Sequence, residues 1–162
     1  MASNAYLILK GQKTGPFNGG GTQKGHENSI LVHSFNEEIL VPLDATTGLP
    51  TGKREHEPLV IVKELDKASP LLWNALVTNE NLTSAVLEFF ATSPTGIEQM
   101  IYTITLTNAS ICSMRQFMAD NEIPANAPLP VREEISFTYQ KITWTWVQGN
   151  IAASDDWESP VA

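Results

Sequence analysis

The segment from Glu134 to Val147 places the strongest constraint on how this chain can fold. Its apolar residues Ile135, Phe137 and Tyr139 occupy odd positions, and Ile142, Trp144 and Trp146 then occupy even ones. Successive side chains of an extended strand point to opposite faces, so a straight strand would send these two sets to opposite sides. A single core can take both only if the strand bulges or bends near Gln140 and Lys141. Bends of this kind form the corners of small barrels and orthogonally packed sheets.

Other segments support the same class. In Gln99 to Asn108, Met100, Tyr102, Ile104 and Leu106 share one face and Thr103, Thr105 and Thr107 the other, the alternation of a half-buried antiparallel strand. Ile111 to Phe117 continues that strand or pairs with it. Tyr6 to Leu9, Ser29 to Phe35, Glu38 to Leu43 and Leu82 to Ala91 read as further strands. Pro42 suits the end of a strand or a sheet edge. Leu59 to Val62 is a continuous apolar run, β-branched from Val60 on, the pattern of a strand buried on both faces. One helix is expected over 70–79, with Ser69 as N-cap, Pro70 at the first helical position, and Leu72, Ala75 and Leu76 as its apolar stripe. Gly11 to Gly25 reads as a flexible loop, Ser93 to Gly96 as a turn, and Asp120 to Val131, with three prolines, as an exposed loop. The expected fold is mainly β: a compact antiparallel β-barrel of two sheets, one flanking α-helix and a long extended arm loop over 44–57, all within one domain spanning 1–162.

Charge narrows the function. Ten basic and 18 acidic side chains leave a net charge of −8, which disfavours nucleic acid and anionic membrane surfaces. Charged residues are only 17% of the chain, a surface with room for protein contacts. The single cysteine, Cys112, excludes an internal disulfide and reads as a small buried hydrophobe. The N-terminal MASNAYLILK lacks the charged and apolar regions of a secretory signal, and no run is long enough to span a membrane.

No segment carries a recognisable catalytic or metal-binding pattern. Gly15 and Gly20 have the outer spacing of a phosphate-binding loop, but Gly21 stands where lysine is required. His26, His33 and His56 fit no zinc spacing, and one cysteine supplies no zinc framework. The acid pairs Glu37-Glu38, Glu133-Glu134 and Asp155-Asp156 read as solvated surface, because neighbours on a strand face apart and are poorly placed to act together. No catalytic residue, metal or cofactor is expected. The tryptophans Trp144, Trp146 and Trp157 read as core, with a subunit contact as the alternative.

Three blocks together resemble one family. The first is Thr47-Gly48, Thr51-Gly52, Arg54, His56 and Pro58; the second is Lys63-Glu64, Asp66, Ser69-Pro70, Leu72 and Ala75. The third is Tyr139, Ile142 to Thr145, Gly149 to Ile151, Asp155 and Trp157. In this order they are similar to the haemolysin-coregulated protein (Hcp) family, the tube protein of bacterial type VI secretion systems. The resemblance implies a non-enzymatic structural protein whose six-subunit rings stack into a hollow tube. Its implied partners are further copies of itself, the spike protein, the contractile sheath and small effector proteins carried in the lumen. It also implies synthesis in the bacterial cytoplasm and secretion without a signal peptide through the type VI apparatus. The alternative is a cargo-binding chaperone ring for effectors. On the family pattern Thr47, Gly48, Leu49, Thr51, Arg54 and His56 are expected at a subunit or ring interface, and Asn36 at the lumen.

Overall fold

In a computed structural model, residues 3–157 are described; the first two and last five positions of the expected domain lie outside them. Ten strands and one α-helix follow in order: β1 (Asn4–Gly11), β2 (Gly15–Pro16), β3 (Ile30–Asn36), β4 (Ile39–Leu40), β5 (Glu55–His56), β6 (Leu59–Glu64), α1 (Ser69–Val77), β7 (Leu82–Thr92), β8 (Glu98–Phe117), β9 (Arg132–Trp146) and β10 (Ile151–Asp156). Six strands close a barrel in the order β9–β6–β3–β1–β7–β8, with β8 pairing back to β9. β2 adds to β1 and β10 adds to β9, while β4 and β5 form a separate two-stranded sheet. All pairings are antiparallel.

The corner expected at Gln140 is present, and it is built by two strands. On β9 the buried positions run Ile135, Phe137, Tyr139 and then Ile142. On β8 they run Ile104, Leu106 and then Ala109, Ile111. Both strands change parity at the same level, since Thr107 pairs with Lys141 and Ala109 with Tyr139. Asn108 takes a left-handed φ of 51° at this point, and its side-chain amide donates to Gln140 Oε1 at 3.0 Å. Because both strands turn together, the register between them continues unbroken through the corner. Before it β9 pairs with β6, and after it with β10, on the same edge.

The core fills the barrel with alternate residues: Ala5, Leu7 and Leu9 from β1, Ile30 and Val32 from β3, Leu59 and Ile61 from β6, and Ala85 and Leu87 from β7, which Leu82 joins across a shift in register opposite Gly11. α1 packs on β8 through Leu72 and Ala75. It closes with a paired 6→1 and 5→2 ending: Glu80 N donates to Ala75 O, Asn79 N donates to Leu76 O, and Asn79 has a φ of 53°.

Several local expectations are corrected. Ala68, not Ser69, is the N-cap; the Ser69 hydroxyl is buried and donates to Glu133 Oε2 at 2.9 Å. β6 alternates, with Val60 and Val62 only half-buried. Of Glu38 to Leu43, only Ile39 and Leu40 are strand, and they belong to the arm rather than the barrel. Cys112 is exposed because it follows the buried Ile111 on β8, and strand alternation turns it to the outer face. Trp146 is exposed at the last position of β9, whereas Trp144 and Trp157 pack partly against the core.

The glycine-rich segment is fastened to the barrel instead of free. Phe17 is buried and its N–H donates to Leu9 O at 3.0 Å. A Cβ on Gly21 would lie 2.5 Å from His26 O, so only glycine lets the two backbones approach this closely. Glu80, buried just past the helix, accepts from Thr14 N at 3.0 Å, Thr14 Oγ1 at 2.7 Å and Lys13 N at 3.3 Å. Burial pushes its carboxyl up, but these hydrogen bonds outweigh that and hold it below the usual range. At the far end, His26 stacks flat on Tyr6 with ring centres 4.1 Å apart, and its Nε2 meets Glu98 Oε1 at 2.8 Å.

Candidate functional site

The arm is a two-stranded ribbon that leaves the barrel after β3 and returns before β6. Its ladder pairs Ile39 with His56 and Leu40 with Glu55, and continues as a bridge between Leu43 and Pro50. Glu57 N donates to Glu38 O at 3.0 Å and Thr51 N to Pro42 O at 2.7 Å, so the pairing reaches well beyond the two short strands. Asp44 shapes the tip. Its Oδ1 accepts from Thr46 N at 2.7 Å and Thr47 N at 3.3 Å, while Gly48 N donates to Asp44 O at 2.8 Å. Those bonds favour the charged carboxylate and hold Asp44 below the usual range. Gly48 supplies the left-handed φ, 70°, that returns the chain.

The tip projects into solvent. Thr47, Gly48, Leu49 and Thr51 are all exposed. Leu43 and Leu49 each show 63% of their surface, and with the exposed Leu40 and Val41 they give one side of the arm an apolar character. Several exposed apolar side chains gathered on one segment with its own turn and ladder offer a surface that another molecule can cover.

Arg54 and His56 lie at the ribbon's root, where both contact the C-terminal strand. They are two residues apart on an extended segment and so face the same way. Asp155 Oδ2 accepts from Arg54 Nε and from His56 Nε2, the latter at 2.7 Å. Arg54 Nη2 donates to Asp156 O at 2.9 Å, and Lys53 Nζ to Trp157 O at 2.9 Å. The His56 side chain is 1% exposed. Its Nδ1 lies 2.9 Å from the Tyr139 hydroxyl, and its ring centre is 4.6 Å from that of Trp157. A carboxylate can only accept, so Nε2 carries a proton, and in the neutral ring Nδ1 accepts from Tyr139. The hydrogen bond from Arg54 is the largest influence holding the Asp155 carboxyl below the usual range. Burial, with Glu37 and Asp155 nearby, pushes the Tyr139 hydroxyl up.

The interface residues expected from the sequence therefore divide. Thr47, Gly48, Leu49 and Thr51 stand together at the exposed tip, whereas Arg54 and His56 have partners within the chain. Asn36 is exposed at the last position of β3, in register with Val60. Sequence reasoning missed the roles of Lys53, Tyr139, Asp155 and Trp157. The available signal was Arg54 and His56 on one face of an extended segment, an arrangement that calls for an acid. Asp155 supplies it, so the Asp155-Asp156 pair is not simply solvated surface. Neither is Glu133, which is fully buried. Glu37 accepts from Trp144 Nε1 at 3.2 Å. Among the described residues, no group of three or more His, Cys, Asp or Glu is arranged to hold a metal ion. No described helix is long and apolar enough to cross a membrane.

Comparison with known proteins bears on this arrangement. Residues 6–146 match the family model described as "Type VI secretion system effector, Hcp". The chain is 40% identical over 171 residues to the "Major exported protein" of Pseudomonas aeruginosa, covering 100% of this chain and 99% of that one. Among solved structures, one described as a crystal structure of Hcp protein superposes with a TM-score of 0.91 at 27% identity, covering 98% of this chain and all (100%) of that one. The secreted protein Hcp3 from Pseudomonas aeruginosa superposes with a TM-score of 0.79 at 34% identity over 98% of this chain and 100% of its own.

Proposed function

This chain belongs to the Hcp family of type VI secretion proteins, and from that membership we propose that it is the system's structural tube protein, forming stacked hexameric rings that are propelled outward. Its 40% identical relative is named for export, and this chain shares that character as an exported protein. In this reading it is made in the bacterial cytoplasm and leaves through the apparatus without a signal peptide. Rings stack into a tube, meet the spike protein at the tip and the sheath along the wall, and carry small effectors in the lumen.

One observation carries the assembly reading beyond family membership. The arm has a formed tip with two exposed leucines, yet its root is anchored by buried, hydrogen-bonded side chains. A segment ordered to its end and apolar at its tip is suited to docking on a neighbouring copy. Thr47, Gly48, Leu49 and Thr51 make that contact, while Arg54 and His56 support it from the root. Asn36 is assigned to the lumen on the family pattern. The role is structural and involves no catalytic step.

Negative-stain electron microscopy and native mass spectrometry of the full chain at micromolar concentration test the proposal. The expected outcome is rings with a central hole and a six-chain mass, each subunit contact burying more than about 1,000 Å² in total. A strictly single-chain mass under these conditions overturns it.

A further inference from the structure

The arm's direction is not set by the barrel's hydrogen-bond ladder. β4 and β5 pair with each other in a sheet of their own, separate from the eight-stranded one. A ribbon whose strands pair only with each other has no ladder bond to the barrel that would fix its angle to it. That angle depends on side chains at the root. Lys53, Arg54 and His56 all reach the same three consecutive residues, Asp155, Asp156 and Trp157. Two of the three meet a single atom, Asp155 Oδ2. Trp157 is held in turn by the barrel, its N–H donating to Gln140 O at 3.0 Å at the corner of β9. A continuous path thus runs from the barrel corner through the end of β10 to the arm.

We infer that β10 is a strap that aims the arm, with Asp155 as the positioning residue that joins them. The inference rests on the assembly reading of the arm for its purpose, but not for its geometry. Losing the carboxylate leaves the buried His56 Nε2–H and the Arg54 Nε–H competing for an uncharged acceptor. The ribbon then keeps its own ladder and tip turn but pivots at its root. An arm that samples many directions contacts a neighbour less often in the productive one, so assembly weakens without loss of the barrel.

The test uses spin labels on the full chain in a Cys112→Ser background, one at the arm tip (Ala45→Cys) and one on the barrel wall (Lys10→Cys). Spectra of the parent chain, Asp155→Asn and Asp155→Glu are compared at matched oligomeric mass, so that arm mobility is judged apart from assembly. Asp155→Asn should free the tip label and leave the barrel label unchanged, and Asp155→Glu should restore most of the restriction. Assembly of Asp155→Asn should need roughly tenfold more protein, the size of effect expected from a weakened buried hydrogen bond. A tip label as restricted in Asp155→Asn as in the parent overturns the strap. So does equal loosening of both labels, which would make Asp155 a support of the whole fold. A parent chain that never assembles overturns the ring reading instead, and the strap is still judged on its labels.

Discussion

Lys63 and Glu133 face each other across β6 and β9, and both are 0% exposed. Lys63 Nζ donates to Glu133 Oε2 at 2.6 Å and Glu64 O at 2.8 Å, with Asp66 Oδ1 at 3.1 Å and Ser69 Oγ at 3.3 Å. Gln116 Nε2 donates to Glu133 Oε1 at 2.6 Å. The group ties the start of α1 to three strands. Burying two charges is tolerable here because each has a full set of partners. Glu133→Leu alone should therefore cost about 3–5 kcal/mol, and adding Lys63→Met should recover much of it. Denaturant unfolding of the two variants measures this, and a double variant no more stable than the single one would contradict it. Asp155 makes a pH prediction. Its folded-state carboxyl titrates below the usual range, so its contribution is present above the unfolded value and is lost as pH falls through the folded one. The arm root should hold through neutral and mildly acid solution and loosen only in strong acid. The tip spin label followed through an acid titration checks this; release near neutral pH would count against it.

Among the elements, the corner shared by β8 and β9 depends most on a single backbone conformation. Asn108 sits at φ 51°, a region that β-branched residues enter only with strain. Asn108→Val should destabilise the barrel by about 1–2 kcal/mol, whereas Asn108→Gly should stay close to the parent. Thermal unfolding of the pair tests whether the left-handed turn, rather than the amide's bond to Gln140, makes the corner. Half of this element was legible in the sequence. The shift from Tyr139 to Ile142 revealed the bend on β9, because side chains of a regular strand alternate and a change of parity needs a bulge or bend. On β8 the matching shift from Leu106 to Ala109 was hidden, since alanine and the neighbouring serine and threonine give little apolar contrast. Ser69 was read as a cap for a similar reason. A serine before proline is a common cap, and nothing local reveals a buried lysine–glutamate pair waiting for its hydroxyl. The glycine segment read as flexible because glycine frees the backbone; here the missing Cβ also allows the close packing that holds it.

At the scale of the whole molecule, a closed barrel carries one ribbon whose tip is exposed and whose root is buried. Deleting Thr47 to Thr51 should leave the barrel's thermal unfolding nearly unchanged while sharply reducing assembly, as native mass spectrometry would record. An assembly indifferent to the deletion would remove the tip from the interface. The sequence by itself determined the strand-rich class, the one helix, the bend in the last long strand and the presence of a long arm. These follow from periodicity, proline and glycine, which act over a few residues. Only the tertiary structure decided that β8 closes on β9, that Arg54 and His56 serve the root, and that Asp155 receives them. Those partners lie 101 and 99 residues away along the chain. A residue's chemistry shows that it needs an acid on its face of a strand, but which acid is set by how the sheet closes, and closure is a property of all the strands at once.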